Sequence, residues 1–122
     1  MKFYAAGNIN DRVKVKELMD KMTVMGHTIT HDWTSAQPTD SGWPLSHVRN
    51  DTTGVILADA YVGRFVDDFP YQGAFVELGL ALAFRKEIYI IGKKADKCIF
   101  IYEENVRRFD TEEQFLNYIR WI

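Results

Sequence analysis

Residues 72–92, QGAFVELGLALAFRKEIYIIG, set two apolar runs almost end to end. The first, about 72–85, is apolar at nearly every position, which predicts a mostly buried helix. The second, EIYIIG at 87–92, reads as a strand with a nearly continuous apolar core, as strands of parallel sheets have. A buried helix feeding a strand buried on both faces points to an α/β architecture.

The rest of the chain alternates in the same way. KFYAA at 2–6 reads as a strand running into Gly7. The segment after it places Val15, Leu18, Met19, Met22 and Met25 near helical spacing, with Asn10 or Asp11 as N-cap and Gly26 as the stop. HTITHDW at 27–33 alternates and predicts a strand. Residues 34–44, with two prolines and a glycine, form a loop long enough to carry function. A helix follows near 45–58, with Val48, Thr52, Val55 and Ile56 on one face, then a strand at 60–66 and a second loop at 67–73. KCIFIY at 97–102 is expected as a fifth strand. Residues 111–122 form an amphipathic helix, with Thr111 as cap and Glu113 or Gln114 closing a capping box. The order is β-α-β-α-β-α-β-β-α. It predicts one domain over 1–122, a three-layer flavodoxin-like or Rossmann-like parallel sheet with helices on both faces.

Composition excludes several classes. The chain has 122 residues, 47% hydrophobic and 26% charged, with net charge −2, the profile of a globular domain. Lysines and arginines are scattered, so no nucleic-acid partner is expected. No run reaches the roughly 18 apolar residues of a membrane span, and MKFYAAGN lacks the apolar core of a signal peptide. Cys98 is alone, so no intramolecular disulfide forms, which fits a cytoplasmic setting. His27, His31 and His47 have no metal-ligand spacing with each other or with Cys98. GNIN after the first strand is not a dinucleotide-binding glycine motif. Neither metal nor cofactor is therefore expected.

One residue stands out against this background: Glu77 is the only charge between Gly73 and Phe84. In doubly wound sheets ligands bind at the carboxyl ends of the strands, near the switch in strand order. That rule selects Tyr4, Gly7, Asn8 and Asn10 after the first strand, Trp33 and the 34–44 loop after the second, and the 67–73 loop leading to Glu77 after the third. An acid in the first helical turn is favoured by the helix dipole by roughly 0.3–1 kcal/mol. Gly73 and Gly79 on either side of it are expected to let the backbone approach another element. A glutamate in such company reads as a site residue.

These residues resemble the nucleoside 2-deoxyribosyltransferase family and its relatives, the 2′-deoxynucleoside 5′-monophosphate N-hydrolases. The matching segments are KFYAAG at the start, the pattern from Asp51 to Asp59, QGAFVELGLALA at 72–83 and KEIYIIG at 86–92. The glycine-flanked ELG is the most specific of them. The resemblance implies a flavodoxin-like fold, a homodimer or higher homo-oligomer, and a small-molecule nucleoside or nucleotide as substrate. It implies that Glu77 attacks the anomeric carbon and that the glycosyl ester passes to a second base or to water. Asp51 would assist the departing base, and the Tyr4 hydroxyl would orient Glu77. Gly7, Asn8, Asn10, Trp33, Tyr71 and Gly73 would line the substrate site. Tyr71 departs from the pattern: many of the transferases carry an acid there, and the monophosphate hydrolases a serine. That leaves substrate class open, and with it a binding or sensing module of the same fold that does not turn its ligand over.

Overall fold

The computed structural model describes all 122 residues. Five parallel strands form one sheet in the order β2-β1-β3-β4-β5: β1 Lys2–Ala6, β2 Thr28–Ile29, β3 Ala60–Arg64, β4 Glu87–Ile91 and β5 Val106–Phe109. Four helices cover its two faces: α1 Arg12–Val24, α2 Leu45–Leu57, α3 Gln72–Ala83 and α4 Glu112–Ile119. The chain is thus a three-layer α/β domain with flavodoxin-like strand order. Successive side chains of a strand point to opposite faces. On one face Phe3 and Tyr89 pack with Phe115 of α4. On the other, Tyr61 donates its hydroxyl to the Ala74 carbonyl of α3 at 2.7 Å.

The core elements follow the sequence pattern. Val15, Leu18, Met19 and Met22 form the buried stripe of α1, and Gly26, at φ +94°, ends that helix in a conformation that suits glycine. Ile88 to Ile91 of β4 are all buried. Thr111 caps α4, and Gln114 completes the capping box.

Four expectations need correction. The second strand is two residues long rather than spanning 27–33, because His31, Asp32 and Trp33 leave the sheet edge to build the loop beyond it. Residues 97–102 are not a strand. They hold a 3-10 turn at Ile99–Tyr102 with Ile99 and Phe100 exposed, and the fifth strand is the more polar VRRF. Asp11 precedes α1 but does not cap it, because its carboxylate is taken by Arg64. The α3 helix is only half buried: Gly73, Val76, Gly79 and Ala83 are exposed along it, and Phe84 just after it is exposed too.

Candidate active site

The strand order turns back between β1 and β3, so consecutive crossovers diverge there and leave a crevice at the carboxyl ends of the strands. A cavity of about 490 Å³ occupies that position. Its wall takes Gly7 and Asn8 from the turn after β1, Trp33 from beyond β2, and Asp51 from α2. Tyr71, Gly73 and Glu77 come from the start of α3. The volume lies within the range of small-molecule sites.

Glu77 is the sixth residue of α3, so it sits in the second turn and not the first. The helix dipole fades within the first turn and does not explain its placement. Its surroundings do. Burial pushes the carboxyl up to about 8, the nearby Asp51 adds to the rise, and the Tyr4 hydroxyl donates a hydrogen bond that opposes it. No lysine or arginine pairs with Glu77. Tyr4 is fully buried and its own ionisation is pushed far up, mainly by burial and then by Glu77, so it serves as a fixed donor. That bond holds Oε2 and leaves Oε1 without a hydrogen-bond partner.

Asp51 lies on the cavity side of α2, and burial raises its carboxyl above the ordinary range against the pull of His31 and His47. His31 Nε2 is 3.4 Å from Asp51 Oδ1. A glycine makes this arrangement possible. A Cβ at Gly54, one turn after Asp51, would meet His31 Cβ at 2.9 Å and the Tyr4 ring at 3.0 Å. Gly54 therefore lets the rings that contact both carboxylates lie against α2.

The remaining expected residues divide. Gly7 lines the cavity, and a Cβ there would strike Val15 at 2.7 Å, so glycine is required for the turn to pack on α1. Trp33 is buried, donating Nε1–H to the Ala5 carbonyl at 2.7 Å and presenting its ring to the cavity. Tyr71 is buried too. Its hydroxyl donates to the Asp67 carbonyl at 2.6 Å and its ring packs on Phe65, so it braces the loop before α3. Asn8 is in the wall, but its side chain is engaged with Pro70 and Asn10. Asn10 does not reach the cavity. Gly73 lines it without any close approach: a Cβ at Gly73 or Gly79 would meet nothing within 4 Å, against the packing role expected of both.

His47 and Trp43 also line the cavity and were not singled out as site residues in the sequence. His47 sits four residues before Asp51 on α2, and Trp43 meets His47 edge-on at 6.1 Å. The i, i+4 relation of His47 to Asp51 was available once the helix was drawn. Trp43 lies in the loop before α2, where no periodicity marks its direction.

No protein-family model matches the chain, and no curated protein matches it in sequence. Solved structures do match. A CMP N-glycosidase from Clostridium botulinum shares the fold with a TM-score of 0.69 and 17% identity, over 99% of this chain and 98% of its own. A 2-deoxyribosyltransferase from the psychrotolerant bacterium Bacillus psychrosaccharolyticus matches with a TM-score of 0.73 and 17% identity, over 97% of this chain and 92% of its own. At that identity the likeness establishes a common fold. No helix is long and apolar enough to cross a membrane.

Proposed function

We propose that this chain cleaves or exchanges the N-glycosidic bond of a (2′-deoxy)nucleoside or its 5′-monophosphate, with Glu77 as nucleophile. The observation that carries the reading is the state of Glu77: a desolvated carboxylate held by one neutral donor, opening into the switch-point cavity. That two proteins of the same fold are an N-glycosidase and a deoxyribosyltransferase supports it. The free Glu77 oxygen attacks C1′, the C1′–N bond breaks, and its electron pair leaves with the base. Asp51 protonates or hydrogen-bonds the departing nitrogen. Water or a second base then displaces the ester at C1′ and regenerates the carboxylate. These steps call on no cofactor.

The attacking form of Glu77 is the anion, so base release rises with pH to a half-maximum near 8. Glu77→Gln keeps the shape and removes the nucleophile. Base release from a deoxynucleoside panel, followed by chromatography, is expected to fall by at least about 1,000-fold. Release at the wild-type rate would remove Glu77 from the mechanism. The protonation of Glu77 at neutral pH also favours a second reading, a module that holds a nucleoside without cleaving it. Calorimetric binding with no base released even at pH 9 selects that one.

The outer faces of α2 and α3 carry Leu45, Val48 and Val76, with Phe84 following the end of α3; they are 59%, 52%, 75% and 52% exposed in that order. Val48 and Val76 also border the cavity. We assign this apolar face to a second copy of the chain, giving a homodimer or larger homo-oligomer. Light scattering that returns the mass of one chain would refute the assignment.

A further inference from the structure

Most polar side chains in the wall of the cavity are already engaged by the protein. Asn8 Nδ2 donates to the Pro70 carbonyl at 3.1 Å, and its Oδ1 accepts the Asn10 N–H at 2.8 Å. Thr52 Oγ1 donates to the Val48 carbonyl at 2.8 Å, Trp33 Nε1–H to Ala5 and the Tyr71 hydroxyl to Asp67. His47 is different. Its ring meets the Trp43 ring edge-on at 6.1 Å and makes no hydrogen bond, so both ring nitrogens are free.

Helical spacing fixes where that imidazole lies. His47, Val48, Asp51 and Thr52 all line the cavity, the i, i+1, i+4, i+5 pattern of one helix face. Side chains four apart on such a face are neighbours, about 5–6 Å apart at Cβ. Both His31 and His47 bear on the Asp51 carboxyl. They are placed differently. His31 lies 3.4 Å from Asp51 and outside the cavity wall, whereas His47 is part of the wall, one turn nearer the start of α2.

We propose that His47 is a specificity-determining residue that reads the base of the nucleoside. It donates a ring N–H to an acceptor atom of the base whose departure Asp51 assists, and Trp43 holds the imidazole in place. The proposal rests on the N-glycosidic reading above and adds a base subsite to it. The base lies on the Asp51 side of C1′, because Asp51 serves its departing nitrogen. The next side chain along that face with a free donor is His47. As the C1′–N bond breaks, its electron pair passes into the base and spreads over the base's nitrogens and carbonyl oxygens. Asp51 meets that charge at one acceptor and His47 at a second. His47 keeps its proton throughout. A hydrogen bond to developing charge is stronger than one to a neutral base, so the contact acts on kcat as well as on binding.

The test compares two variants. His47→Phe keeps an aromatic ring against Trp43 without the donor, and His47→Gln keeps a donor without the ring. Base release from deoxyadenosine, deoxyinosine, deoxycytidine and thymidine gives kcat and KM for each. Calorimetry in the Glu77→Gln background gives the affinity for the same nucleosides and their free bases without turnover. His47→Phe is expected to lower kcat/KM on the best substrate by roughly 10- to 100-fold, and the affinity for its free base about tenfold. The order of preference among the four bases is expected to change. His47→Gln is expected to recover most of both losses. Release by His47→Phe within about twofold of wild type on every nucleoside overturns the subsite and leaves the N-glycosidic reading standing. So does an equal loss in both variants, or a uniform loss over the four bases, either of which marks a structural role. Weakened base binding in His47→Phe, with no base released by the wild-type protein, supports the subsite and overturns the glycosidic reading. Neither binding nor release of any of the four overturns both.

Discussion

Two carboxylates beyond the carboxyl ends of β1 and β3, Asp11 and Glu77, are treated in opposite ways. Asp11 is 5% exposed and faces the Arg64 guanidinium at 2.6 Å, with Asp67 and Lys14 extending the pair outward. Glu77 has the Tyr4 hydroxyl and no cation, and it opens into a cavity. A buried acid matched by a cation fixes structure: the Asp11–Arg64 bond ties the turn after β1 to the end of β3. A buried acid given only a neutral donor keeps its lone pairs unneutralised and its proton affinity high, which suits chemistry.

The pH dependence of stability separates the two further. Glu77 in the folded protein holds its proton up to about 8, above the ordinary carboxyl value of 4.5. The stability linked to that proton is present in full below the unfolded value and is lost as pH rises from 4.5 through 8. The loss is at most about 5 kcal/mol, and Glu77→Gln is expected to abolish it, making the variant more stable than wild type at pH 9.

At neutral pH, breaking the structural pair has the largest effect on stability. Arg64→Met leaves Asp11 buried without a partner, and urea unfolding is expected to show a loss of about 3–5 kcal/mol. A loss under about 1 kcal/mol would mean that the pair is not what holds the turn. Asp51→Asn acts on chemistry instead. Base release is expected to drop about 100-fold or more, most for the poorest leaving bases, while stability changes little. A uniform loss for every base would deny Asp51 its part in departure. Tyr4→Phe has the smallest effect and sharpens the contrast best. It removes the donor that favours the Glu77 anion, so the rising limb of kcat/KM moves above pH 8, and the rate at pH 7 falls roughly tenfold for each pH unit moved. A limb that stays in place would show that Tyr4 does not set the ionisation of Glu77.

Sequence pattern revealed the parts of the fold whose burial is symmetric or periodic. The Val15–Met22 stripe and the run Ile88–Ile91 could each be drawn with their boundaries nearly right. The sheet edges could not. A half-exposed edge strand loses its apolar continuity, and β5 carries Arg107 and Arg108, which cover Tyr118 and Tyr102 at 5.3 and 4.6 Å. Of the residues that suggested a strand at 97–102, Ile99, Phe100 and Tyr102 point outward and Ile101 alone is fully buried. In the site, Glu77, Asp51 and Tyr4 converge as expected, because each sits on an element whose type was readable. Glycine roles misled, since close approach is a tertiary property. Gly73 and Gly79 meet nothing, whereas Gly54, inside an unremarkable helix, is the one against which Tyr4 and His31 pack.

The most direct test of Glu77 as nucleophile is to trap its ester. A 2-fluoro-arabino nucleoside slows the second step more than the first, so intermediate accumulates, and digestion with mass spectrometry locates the sugar. The account predicts one fluorosugar per chain, on the peptide containing Glu77. Continued base release with Glu77 unmodified, or with the sugar on another residue, would contradict it.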